Sequence, residues 1–177
     1  MSPARHVVFA AMALLVGLLP PMGAVAQVED GIAAGYNHDQ GIGGHPSVVF
    51  TEGFEQASVA DLVSGWDQVQ HQENMSLVSD VPAMSAGTQS LYISGGWGDL
   101  YRRLLPGYEQ LYARFYAKLD PSCVNVHHWV WLGGHNPPTT WPWPRAGTRP
   151  AGDERWSTGL EPFYSGGSPQ WRWAFDT

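Results

Sequence analysis

The sequence predicts an all-β protein of antiparallel sheets, and three observations carry that expectation. Gly (21), Pro (14) and aromatic residues (9 Trp, 7 Tyr, 6 Phe) dominate the 177 residues. The helix-favouring Lys and Glu are scarce, so turns and strands are favoured over helices. Gln110 to Leu119 alternates without a break: Leu111, Ala113, Phe115, Ala117 and Leu119 on one side, Tyr112, Arg114, Tyr116 and Lys118 on the other. A period of two puts these sets on opposite faces of a strand. Gln89 to Ser94 alternates in the same way and is stopped by Gly95-Gly96.

The other elements follow in order. Residues 1–26 have the layout of a secretory leader: Arg5 and His6, then the apolar run Val7 to Leu19, then helix-breaking Pro20, Pro21 and Gly23, then the small-x-small site Ala24-Val25-Ala26. The run is shorter than the roughly 20 residues a membrane span needs. Cleavage before Gln27, export to the periplasm or medium, and no membrane attachment afterwards are therefore expected. Residues 27–47, rich in Gly, His and Asn and without periodicity, read as a flexible N-terminal extension, and residues 48–177 as the folded domain. Within it, Ser47 to Phe50 reads as a short strand, Phe54 to Trp66 as a helical turn, Val69 to Val78 as one weak strand or two, and Pro82 to Gly87 as a turn. Asn125 to Leu132 reads as a strand with adjacent His127 and His128 on opposite faces. Gly133 to Gly152 reads as a loop of functional length, Glu154 to Glu161 as a strand, and Trp171 to Asp176 as the last. Alternation persists to Thr177 with no turn or cap, and a sandwich of such strands needs about 200 residues. Further C-terminal strands are therefore expected.

Charge excludes some functions. A formal net charge of −7 argues against nucleic-acid binding. One Cys makes neither an internal disulfide nor a cysteine-rich zinc site, and Cys123, beside Val124, is expected to be buried. Residues 27–177 carry eight bases against sixteen acids, a formal charge of −8. Between Gln27 and Tyr101 there is no Lys or Arg, while ten acids lie there. All eight bases follow from Arg102 onward, seven of them Arg. Either the two halves pair across the fold, or some Arg residues line a site for an anionic ligand.

Three stretches look like a secreted jelly-roll domain of the concanavalin A-like lectin and glucanase superfamily. They are Val49-Phe50 with Gly53-Phe54-Glu55, Gly87-Thr88-Gln89-Ser90-Leu91-Tyr92-Ile93, and Leu111-Tyr112-Ala113-Arg114-Phe115-Tyr116-Ala117-Lys118. The resemblance spans residues 48–177. It implies a two-sheet antiparallel sandwich whose concave face holds an extended sugar chain. Gly152 to Pro162 also has the look of a signature, with no activity attached.

The residues themselves narrow the chemistry. A retaining glycosidase needs two carboxylates about 5 Å apart. Glu154 and Glu161 are seven residues apart, an odd separation that places them on opposite faces of a regular strand. A polysaccharide lyase fits better. It needs a cation to neutralise a uronate carboxylate, a base and an acid; Arg114 and Arg155 fit the first role, His127 or Tyr116 the others. The plainer reading pairs each Arg with Glu161 or another acid and leaves His127 an ordinary histidine. A non-catalytic binder would use Tyr112, Lys118, Trp129, Trp131, Trp141, Trp143 and Glu161 as stacking rings and hydroxyl partners. No metal site is indicated: Gln27, not His, would be the mature N-terminus, and His127 meets His135 only if the loop folds back. No cofactor is expected, although structural calcium on loop oxygens leaves no spacing signature. The expectation is a secreted polysaccharide-active protein, lyase-like on an anionic polymer if catalytic. A carbohydrate-binding module and a structural cell-surface domain are the alternatives.

Overall fold

A computed structural model of the chain describes residues 7–15, 31–95, 97–123, 126, 129–139, 149, 151–165 and 168–176. It is strand-rich, with antiparallel pairing throughout and only short 3₁₀ turns for helix among the described residues. The chain divides into two compact units, Met1–Asp120 and Pro121–Thr177. The boundary falls within the span read as one domain.

Among the described residues the first unit holds seven strands: β1 (Val7–Leu15), β2 (Val48–Glu52), β3 (Gln68–Gln70), β4 (Met75–Val78), β5 (Ser90–Ile93), β6 (Asp99–Tyr101) and β7 (Tyr112–Leu119). β3 and β6 form a separate ribbon. The others form one sheet, in which β4 pairs with β5, and β1 pairs with β2, β5 and β7. The apolar segment read as a leader is thus the strand on which this sheet is assembled.

The core of this unit follows from its sequence pattern. Phe54, Leu62, Trp66, Met75 and Leu91 are buried together, with Phe50, Val59, Val69, Leu77, Ile93 and Leu100 packed around them. Leu62 comes from the 3₁₀ turn Val59–Ser64, which answers the helical turn expected between Phe54 and Trp66. Phe50 meets Trp66 edge to face, centroids 5.0 Å apart. Burying a side chain of this size contributes about 1.5–3 kcal/mol.

One carboxylate lies inside this core. Glu52 is 5% exposed. It accepts hydrogen bonds from the Phe54 backbone N–H at 2.7 Å, the Trp66 indole N–H at 2.9 Å and the Gln56 amide at 3.1 Å. Those donors replace the water it gave up. The first of them also fastens Phe54, whose φ of 60° is the left-handed region that a bulky residue rarely enters. That turn sends the Phe54 ring inward and Glu55 outward.

Of the stretch read as a flexible extension, residues 27–30 lie outside the described residues and residues 31–47 are folded. Ile32–Gly35, Asn37–Asp39 and Ile42–Gly44 form three successive 3₁₀ turns, and Ile42 is buried. Spaced glycines permit these turns while giving no hydrophobic period to read.

The second unit is a three-stranded antiparallel sheet in the order β10–β9–β8, with β8 (Val130–His135), β9 (Arg155–Ser165) and β10 (Ser168–Asp176). Cys123 is buried here, as expected. Two expected boundaries are corrected. Of the strand expected over Asn125–Leu132, Val130 to Leu132 are strand and Asn125, His127 and His128 lie outside the described residues, while Gly133, Gly134 and His135, read as loop, are strand residues paired with Ser157, Trp156 and Arg155. Glycine looks like a strand terminator in sequence; here it makes room for tryptophan. A Cβ on Gly134 would lie 2.5 Å from Trp156 Nε1, and one on Gly159 would lie 2.7 Å from the Trp131 ring. Each Trp lies over the glycine directly opposite it in register, so the ring supplies packing that the glycine lacks.

Candidate carbohydrate-binding face

The polar face expected on β7 exists. Tyr112 is 53% exposed, and its hydroxyl accepts a hydrogen bond from the Gln110 side-chain amide. Two residues on, the Arg114 guanidinium stands over the Tyr116 ring, 5.6 Å from its centroid, and donates to the Tyr116 hydroxyl at 3.0 Å. Lys118 ends the row, its Nζ 2.7 Å from Asp80 Oδ2. Beside it lies a shallow cleft of about 310 Å³, lined by Asp80, Val81, Pro82, Ala83, Tyr116, Ala117 and Lys118.

The residue that organises this row was not among those expected. Asp39, from the 3₁₀ segment Asn37–Asp39, places Oδ2 3.0 Å from Arg114 Nε and accepts the Tyr116 hydroxyl at 2.6 Å. Asp39 is 9% exposed at its side chain, while Arg114 remains 45% exposed. Both His38 (φ 52°) and Asp39 (φ 62°) adopt left-handed backbone, which Asp and His accept more readily than most residues. No spacing rule links Asp39 to residues more than 70 positions away. Only the fold brings them together.

This pairing sets the electrostatics. The hydrogen bond to Asp39, aided by burial, pushes the Tyr116 phenol above its usual range, although the Arg114 bond opposes the shift. Tyr116 is therefore a protonated donor at neutral pH, not a phenolate base. Arg102 and Arg103 likewise face Asp67 at 3.6 and 3.2 Å. Each of these four bases, Arg102, Arg103, Arg114 and Lys118, meets an acid from the first half of the chain. The lopsided charge distribution is thus answered, for these residues, by pairing across the fold.

The other expected residues belong to the second unit. The pleat and register put Trp131, His135, Arg155, Ser157 and Glu161 on one face of its sheet, with His135 directly opposite Arg155. Glu161 is 2% exposed and is the register partner of Arg172. Trp129 is half-buried and precedes β8. His127, Trp141 and Trp143 lie outside the described residues. The structure therefore joins Arg114 directly to Tyr116 in one unit, and sets Trp131, Arg155 and Glu161 on a common face in the other. Among the described residues no group of three or more His, Cys, Asp or Glu side chains is placed to hold a metal, and no helix is long and apolar enough to cross a membrane.

No family model, curated protein or solved structure matches this chain.

Proposed function

We propose that the protein is an exported, jelly-roll-like carbohydrate-binding protein that holds a hydroxyl-rich polysaccharide along the outer face of β7. The observation that carries this reading is the row Tyr112, Arg114, Tyr116 and Lys118, with an exposed ring at one end and the cleft at the other. Successive residues on one face of a strand lie about 6.8 Å apart, a spacing that lets neighbouring side chains address neighbouring sugars. Tyr112 offers a stacking surface. Arg114 and Lys118 already face carboxylates, so the row suits hydroxyl bonding better than neutralising a uronate. That shifts the reading from an anionic polymer toward a neutral one.

The test is a glycan array and calorimetric titration with neutral and uronate polymers. Binding to a neutral polymer without turnover is expected, and Tyr112→Ala should weaken it about tenfold, the equivalent of ~1.4 kcal/mol of lost stacking. No binding to any glycan, or undiminished binding by the variant, overturns the proposal.

A lyase reading keeps one specific observation: Tyr116 is a protonated phenol fixed between Arg114 and Asp39, the state required of a general acid for a departing sugar oxygen. Release of unsaturated, ultraviolet-absorbing product from a uronate polymer, abolished by Tyr116→Phe, would establish it. Absence of such product from all uronate polymers would remove it.

A further inference from the structure

β7 carries the candidate face, yet among the described residues its ladder partner is β1 alone. Along one edge, β1 pairs with β7 from Val7–Leu119 to Leu15–Tyr112. Along the other, Val7, Val8 and Phe9 pair with Ile93, Tyr92 and Leu91, and Met12 to Leu15 pair with residues of β2 from Glu52 back to Val48. β5 and β2 therefore lie end to end beside β1. All three pairings are antiparallel. The strand that occupies this central position, VVFAAMALL, is also the first part of the apolar run, Val7 to Leu19, of a segment with the layout of a cleavable leader.

Neighbouring strands are about 4.8 Å apart, so withdrawing β1 leaves β7 about 10 Å from β2 and β5. No hydrogen bond spans that distance, and two rows of backbone N–H and C=O groups lose their partners. The gap differs from an ordinary sheet edge, because an entering strand gains ladders on both sides. On one face the flanking strands are apolar: Ala113, Phe115, Ala117 and Leu119 on β7, Phe50 on β2, Leu91 and Ile93 on β5.

We propose that the space between β7 and the β2–β5 pair is a strand-acceptor slot. Val7–Leu15 fills it in the full chain. Once that segment is removed, it takes an extended apolar strand from another polypeptide, uncharged, free of Pro, about nine residues long and antiparallel to both flanks. Backbone hydrogen bonds supply the affinity, and alternate side chains the choice of strand. This inference rests on strand pairing and not on the carbohydrate reading.

The test uses the full chain with a protease site introduced between residues 16 and 26, cut only after folding. The released segment should co-elute with the remainder on size exclusion. An excess of labelled Val7–Leu15 peptide, flanked by lysines for solubility, should displace it one to one; the same peptide carrying Ala10→Pro should not. Immediate separation of the segment, with β7 amides still protected from hydrogen exchange in a monomer, overturns the proposal. Protection that survives only in a dimer also overturns it, by making a second copy the occupant. In the uncut chain, Ala10→Pro should speed exchange of β7 amides about tenfold or more while β4 amides keep their protection; unchanged β7 exchange argues against the slot. Loss of sugar binding while β7 stays protected counts against the carbohydrate reading alone.

Discussion

Glu55 binds Thr88 and Gln89, the two residues that lead into β5: one carboxylate oxygen accepts the backbone N–H of Thr88 at 2.6 Å and of Gln89 at 3.0 Å, and the other accepts the Thr88 hydroxyl at 2.6 Å. Two of the sequence stretches that resemble a jelly-roll domain, Gly53-Phe54-Glu55 and Gly87 to Ile93, are thus joined physically. Gly87 permits the approach, since a Cβ there would lie 2.8 Å from Glu55 Oε1.

The Thr88 hydroxyl, with the backbone N–H groups of Gln89 and Thr88, holds the Glu55 carboxyl below its usual range. A carboxyl whose folded pKa is depressed stabilises the fold above its unfolded value, near 4.5. It loses that contribution as the pH falls from there through the folded value. Glu55→Gln should therefore lower stability by about 1 kcal/mol near neutrality, as expected for lost charge-assisted bonds at an exposed site. The difference from the parent should vanish at low pH. Urea unfolding midpoints between pH 7 and about pH 3 check this; a gap that persists in acid refutes it.

Glu52 presents the opposite balance, because its donors are buried. Glu52→Ala leaves the Trp66 indole N–H and the Phe54 amide without their acceptor, at a cost of about 2–4 kcal/mol. Trp fluorescence during denaturation should report a lower midpoint. A loss below ~1 kcal/mol would mean that the core relaxes around the deletion.

Asp39→Asn should act at a distance in sequence but locally in space. It removes the main cause of the raised Tyr116 pKa, so tyrosinate absorbance assigned by comparison with Tyr116→Phe should appear at lower pH than in the parent. An unaltered titration would show that Asp39 does not control this phenol.

Two glycine substitutions separate side-chain from backbone crowding. Gly159→Ala puts a Cβ 2.8 Å from the Val130 carbonyl oxygen as well as against Trp131, and should cost about 2–3 kcal/mol. Gly134→Ala meets only Trp156 within the closest contacts. Trp156 is 54% exposed and can swing aside, so this change should cost less than about 1 kcal/mol. Thermal unfolding of both variants tests the order, and the reverse order contradicts the register.

Much of this was legible because it is local. Period-two alternation identified β5 and β7 and divided β7 into its two faces, and residue chemistry marked the Tyr112 to Lys118 row. Glycine misled at β8, where Gly134 serves the sheet by admitting the Trp156 ring, a reason that exists only across strands. Asp39 was hidden because a salt bridge depends on distance in space, which sequence separation does not encode. The same holds for Val7–Leu15: an apolar run declares that it avoids water, whether in a translocation channel or between two strands. The sequence by itself determined the strand character of β5 and β7, the polar face of β7 and the uneven distribution of charge. Only the tertiary structure decided which acid neutralises which base and which strand stands beside β7, because long-range pairing is selected by the geometry of the whole sheet.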